Sequence, residues 1–221
     1  RENGPLLHTR SVVNTNAFLA MQQLVGGTGC AQDSGNQDDK KKIAFKNVVK
    51  SAGPALTVCR DKPDPQDAAI SRTAEFEMST VRQVAKVEVR GYDVANKKAI
   101  KGECTAPDTN FSGTIGPKAA GKAHWGSASS GPVVTIVDQP VKDKTEADNV
   151  AKAIMDGLCM QFMTGEIEIE GNSKVTAGDV VEVKQFGKAF DGKYLVEACV
   201  HLATPDSYTT RLTLARDATP G

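Results

Sequence analysis

The sequence predicts a mainly β chain with α (α+β): an antiparallel β-barrel with one amphipathic helix, about residues 144–163, inserted, plus a mixed N-terminal segment. Three observations carry this. From residue 73 onward, short stretches alternate apolar with polar residues, the period of a half-buried strand. A single convincing stretch instead repeats its apolar residues at three- and four-residue steps, the period of a helix. Glycine and Pro-Asp turns separate the last strands so closely that they describe an antiparallel meander, and most such meanders close into small barrels or sandwiches.

Taken in order, residues 1–70 form a poorly defined, mixed α/β segment and residues 71–221 the barrel domain with its helix. Within the first, "TNAFLAMQQLV" (15–25) reads as a short helix before the break "GGTG". The polar "QDSGNQDDKKK" (32–42) and the breaker-rich "CRDKPDPQDAA" (59–69) read as connections. In "AKVEVRGY" (85–92), Ala85, Val87 and Val89 share one face, and Lys86, Glu88 and Arg90 the other. Turn residues "DVANKK" lead to a second short strand at "AIKGEC" (99–104), and "GPVVTIVDQP" (131–140) holds another. In the helix, Ala147, Val150, Ala151, Ile154, Leu158 and Phe162 make the apolar stripe. Thr145 is placed to cap its start, with Asp148 three residues on, and Gly165 to end it. Gly157 inside a helix predicts close packing against a neighbouring backbone, and Met155, Met160 and Met163 are read as gap-filling core or interface residues. The remaining strands are "GEIEIEG" (165–171), "GDVVEVKQFG" (178–187), "GKYLVEACVHL" (192–202) and "SYTTRLTLAR" (207–216). Val181, Val183, Tyr194, Val196 and Leu212 are expected to point into one β-core, with Ala198 and Val200 on the face of Tyr194 and Val196.

Composition bounds the function. With 221 residues the chain is long enough for a full core, and Lys+Arg and Asp+Glu are each 27, a formal charge of zero. That argues against broad attraction to nucleic acid or an anionic membrane. No apolar run approaches the roughly 20 residues of a bilayer-spanning helix, and Arg1 does not open a signal peptide. Cys30, Cys59, Cys104, Cys159 and Cys199 are scattered without a C-x-x-C pair, which favours reduced core thiols over disulfides or zinc and suits a cytoplasm.

Each catalytic pattern competes with a plainer reading. "GKAFDGKY" (187–194) nearly matches a phosphate loop at Gly187, Gly192 and Lys193, but Tyr194 stands where Ser or Thr is needed. A phosphate loop also needs a helix after its lysine, and "YLVEACVHL" alternates as a strand. His8, His124 and His201 are isolated from one another, His201 on the strand face opposite Tyr194 and Val196. Ser129 or Ser130 beside His124 lies in a Gly/Ser-rich loop without G-x-S-x-G spacing. Glu166, Glu168 and Glu170 share one strand face, the arrangement that alternation produces on any solvated strand as well as in a glycosidase. We therefore expect no catalytic, cofactor-binding or metal-binding residues, no cofactor and no enzyme activity.

The block "VAKVEVRGYDVANKKAIKGE" (84–103) resembles the V-x-V-x-G-[WY]-D-x-x-x-K-x-x-I-x-G segment of phage late control D and VgrG-type tail-hub proteins. The resemblance resumes with the helix and runs through "GEIEIEGNSKVTAGDVVEVKQFGKAFDGKYLVEACVHL" to "YTTRLTLAR". Gly165, Gly171, Asn172, Gly178, Asp179, Phe186, Gly187, Gly192, Tyr194, Val196, His201 and Tyr208 match its pattern, over roughly 73–106 and 144–217. It implies a barrel of the tail-hub type in a contractile injection machine: a phage tail, a type VI secretion system or an extracellular injection particle. It further implies a homotrimer that joins an inner tube protein to a spike or spike-tip protein among baseplate proteins. Such a chain folds in the bacterial cytoplasm and ends in a virion or a secreted particle. The additional barrel and spike helix of VgrG proteins are absent up to Gly221, which implies a longer hub chain or a second chain. The competing expectation is a carbohydrate- or receptor-binding β-module using Trp125 and nearby tyrosines, for which 5% aromatic content is little.

Overall fold

The structure, a computed structural model, describes residues 53–93, 96–106 and 131–219 in full, and the backbone of three strands at 7–12, 30–32 and 45–47. The strands are β1 (Leu7–Val12), β2 (Cys30–Gln32), β3 (Phe45–Asn47), β4 (Leu56–Cys59), β5 (Ala69–Met78), β6 (Lys86–Asp93), β7 (Lys98–Thr105) and β8 (Val133–Ile136). After them come the helix α1 (Lys144–Cys159) and strands β9 (Met163–Glu170), β10 (Val180–Lys184), β11 (Gly192–Ala203) and β12 (Tyr208–Arg216). The 15–25 segment, His124, Trp125, Ser129 and Ser130 lie outside the described residues.

Six strands close on themselves in the order β11-β10-β4-β5-β9-β12, because β12 returns to pair with β11. The barrel is mixed rather than antiparallel: β4 runs parallel to both β10 and β5. Alternation in the last fifty residues exposes only the antiparallel part. The parallel pairings come from β4, a four-residue strand too short to declare a period in the sequence. The expected meander is also re-ordered, since β9 lies beside β12 and not beside β10. β2 and β3 pair only with each other, as a separate two-stranded sheet, and β1 pairs with the far half of β11.

Between β5 and β9 the chain leaves the barrel to build a second layer. The sheet β7-β6-β8 carries α1 on one face, and Val87, Val89 and Ile100 pack there with Ala147, Val150, Ala151 and Met155. The helix thus belongs to this layer, with a core separate from the barrel's. Gly102 sets its distance from the sheet: a Cβ there would collide with the backbone at Ala147 and Asp148. The close approach expected at Gly157 is absent, with nothing within 4 Å of a Cβ built on it.

The helix ends sooner than its apolar repeat. Cys159 is its last residue, Phe162 turns into the barrel core, and Gly165 lies inside β9 with its Cα against the ring of Phe76. Asp143, not Thr145, caps the N-terminus: its Oδ1 accepts the Glu146 N–H at 2.8 Å, while Glu146 Oε2 accepts the Lys142 N–H at 2.7 Å. Asp148 instead bonds sideways, accepting the Glu103 N–H of β7 at 3.0 Å. Met160 then closes over Val180, Leu195 and Ala215, which alternate out of the barrel, and so joins the two layers.

Val181, Val183, Tyr194, Val196 and Leu212 are fully buried in one core, as the alternation predicts. Past Val196 the prediction fails. The β11–β12 register shifts between Val196 and Ala198, and the extra residue hands the interior to Cys199 and His201 in place of Ala198 and Val200.

Candidate functional site

The bulge assembles a polar cluster at one end of the barrel. Cys199 Sγ lies 3.4 Å from the Val175 carbonyl and 3.2 Å from His201 Nε2. His201 Nδ1 faces Thr210 Oγ1 at 3.0 Å and the Tyr208 hydroxyl at 3.1 Å. Thr210 Oγ1 accepts the Asn172 N–H at 3.0 Å, and the Tyr208 carbonyl accepts the Gly171 N–H at 2.8 Å. A consistent assignment has the thiol donate to Val175 and Nε2–H donate to the sulfur, which leaves the single lone pair of Nδ1 to accept from one of its two hydroxyl neighbours, Thr210 or Tyr208. Gly171 is required because a Cβ would overlap the Tyr208 ring.

A sulfur within reach of an imidazole resembles a cysteine-nucleophile pair, but the environment opposes that chemistry. Cys199 is fully buried, and burial, reinforced by the Asp179 charge, pushes its thiol up to about 11. A nucleophilic cysteine needs an accessible thiolate. What the cluster does is tie the turn after β9 to β11 and β12. Gly171, Asn172, His201 and Tyr208, scattered along the tail-hub pattern, converge here. The sequence reading set His201 on the opposite face, and only the bulge overturns that.

The second conspicuous motif is the 187–194 hairpin. Gly187 and Gly192 have φ of +102° and +127°, conformations for which glycine is the natural residue. Lys193 pairs with Glu182 across β10–β11, so a strand, not a helix N-terminus, follows the turn. Around the turn Phe76 meets Phe186, Phe190 and Tyr194 at centroid distances of 5.2, 5.5 and 5.7 Å. The buried Arg216 guanidinium sits 5.4 Å from the Tyr194 ring centroid and donates from Nη1 to the Asp191 carbonyl at 2.9 Å. Tyr194 donates to the Phe190 carbonyl at 2.7 Å, and burial raises its hydroxyl to about 12. Asp191 Oδ1 accepts the Phe186 N–H at 2.8 Å. These groups, which a phosphate cradle would leave open, are spent on the hairpin itself.

Glu166 and Glu168 lie outside the barrel, bridged by Arg211 at 3.2 Å each. Glu170 is exposed on the same outer face. On β6, Glu88 is held by Lys86, by Arg90 at 3.0 Å and by Lys101 at 3.3 Å, and these contacts draw its carboxyl down to about 2. Among the described residues no group of three or more His, Cys, Asp or Glu is placed to hold a metal ion, and no helix is long and apolar enough to cross a membrane.

A family model described as the Alg8 N-terminal domain matches residues 70–204. The chain belongs to the Alg8 N-terminal domain family. The matched stretch begins with β5 and ends after β11, taking in the helix-and-sheet layer. No curated protein matches the chain. Among solved structures it is similar to the tail protein from Neisseria meningitidis MC58 (TM-score 0.56, 14% identity, 90% of this chain and 54% of that one). It is also similar to the 43 kDa tail protein of prophage MuSo2 from Shewanella oneidensis (TM-score 0.50, 11% identity, 73% of this chain and 43% of that one). The chain thus spans about half the length of these structures, and at such identities the likeness is one of fold.

Proposed function

We propose that this chain is a structural component of a phage-tail-type injection machine, namely a hub that joins the inner tube to the spike as a homotrimer. The observation that supports it most is the fold, a closed barrel with a helix-and-sheet layer inserted, which is similar overall to the Neisseria tail protein and to the MuSo2 prophage tail protein. The convergence of Gly171, Asn172, His201 and Tyr208 in one bonded cluster adds to this, because it gives the tail-hub pattern a physical reason. In this reading residues 71–221 carry the hub domain, and β1 and β4 from the 1–70 segment complete its sheet. Its partners are two further copies, the tube protein, the spike or its tip, and baseplate proteins. It acts by holding geometry and not by chemistry, without a cofactor. It folds in the cytoplasm and ends in a virion or secreted particle.

Native mass spectrometry of the full-length protein at high micromolar concentration tests this. A trimer, alone or on adding tube or spike partner, is the expected result. A strict monomer that no such partner assembles would leave a carbohydrate- or receptor-binding module as the better reading.

A further inference from the structure

The sheet β7-β6-β8 buries one face under α1, and no other described element covers the opposite face. On that uncovered face Tyr92 is 59% exposed and Val133 48%, while Val137, which continues the same alternation just past β8, is 70% exposed. Single exposed apolar residues need no explanation, but three of the exposed large apolar residues share this one face of a three-stranded sheet. Between them lies an ordered ionic group. Glu88 keeps only 6% exposure on a face that no other described element covers, because Lys86, Arg90 and Lys101 fold over it, and Glu103 engages both lysines. The cations are therefore already positioned, so a partner that engages them has less side-chain entropy to remove. Arg90 stands directly opposite Lys101, and their side chains stay 59% and 52% exposed.

The outer wall of the barrel has the opposite character. Glu75, Glu77, Glu166, Glu168 and Glu170 alternate outward from β5 and β9, and Glu75 stands directly opposite Glu166. Like charges so placed destabilise a sheet. Arg211 engages Glu166 and Glu168, whereas Glu75, Glu77 and Glu170 form no ion pair among the described residues. The formal charge of the whole chain is zero, so no net repulsion keeps two copies apart.

We propose that the uncovered face of the β7-β6-β8 sheet docks on the acidic β5–β9 wall of a second copy of this chain. Arg90 and Lys101 then meet Glu75 and Glu166, and Tyr92, Val133 and Val137 supply the apolar contact. The two patches differ, so the contact is heterologous and propagates around a ring instead of forming a two-fold dimer. This rests on the ring-building hub reading and names the surfaces that build it.

The test uses the full-length protein with its tube or spike partner, read by native mass spectrometry and sedimentation at low salt. Arg90→Glu with Lys101→Glu, and separately Glu75→Lys with Glu166→Lys, are each expected to weaken assembly by about tenfold or more. All four together are expected to recover most of it, because each contact regains opposite charges. Tyr92→Ser with Val137→Ser leaves the Glu88 cage intact and is expected to weaken assembly too, which separates a lost contact from a misfolded sheet. A trimer unaffected by these changes, or a fourfold variant worse than either pair, overturns this contact and leaves the hub reading standing. A wild-type chain that stays monomeric with every partner overturns the hub reading and this contact together.

Discussion

Glu88 illustrates how much a single side chain depends on its neighbours. Hydrogen bonds from Lys86 and then Arg90 lower its carboxyl from an ordinary 4.5 to about 2. A carboxyl depressed in the folded state contributes stability that is fully present above 4.5 and is lost as pH falls through that value towards 2. Glu88→Gln should therefore flatten the loss of stability between about pH 6 and about pH 3, measured by denaturant melts. Glu197, at the β11 bulge, is shifted the other way: burial raises it, so its ionised form is disfavoured in the fold. Glu197→Gln should be neutral or stabilising at neutral pH, whereas Val196→Ala, one residue away and fully buried, should cost about 1–3 kcal/mol. Similar small effects at both positions would mean that the inward assignment of Val196 is wrong. Alternation made Val196 legible in the sequence. The bulge after it was not legible, because one added residue leaves no mark in "VEACVHL", where small and apolar residues fit either face.

Among elements, α1 separates propensity from packing. Gly157 meets nothing within 4 Å and lies in the helix, so Gly157→Ala should stabilise by about 1 kcal/mol in thermal melts. Gly102→Ala should do the reverse, costing about 1–3 kcal/mol or more, because the added methyl drives α1 off its sheet. The sequence marked a glycine as the close contact and named the wrong one. A glycine on a strand facing a helix looks, in one dimension, like any other strand glycine. The helix boundary was missed for a related reason. Phe162 continues the apolar repeat, but the barrel core claims it, and a buried side chain satisfies the same pattern whether the chain there is helix or turn.

For the molecule as a whole, the 187–194 hairpin gives a decisive check. Its glycines, Asp191 and Tyr194 are engaged in holding the turn and the aromatic cluster, so titrating ATP or GTP with Mg²⁺ by calorimetry should produce no heat. Lys193→Ala should leave that result unchanged. Binding that is lost in the variant would restore the phosphate-loop reading.

What the sequence determined by itself was the set of strands from β6 onward, the existence of the helix, and the inward faces of β10 and of β11 up to Val196. All of these depend on local periodicity, and side chains of one face recur every two or every 3.6 residues wherever they end up. Tertiary structure alone decided the rest. It placed β4 parallel between β5 and β10 and set β9 beside β12. It also removed the helix from the barrel to its own sheet and turned Cys199 and His201 inward to meet Tyr208 and Thr210. Parallel pairing, strand order and bulges are relations between segments far apart in the chain, and no single stretch of residues encodes its distant neighbour.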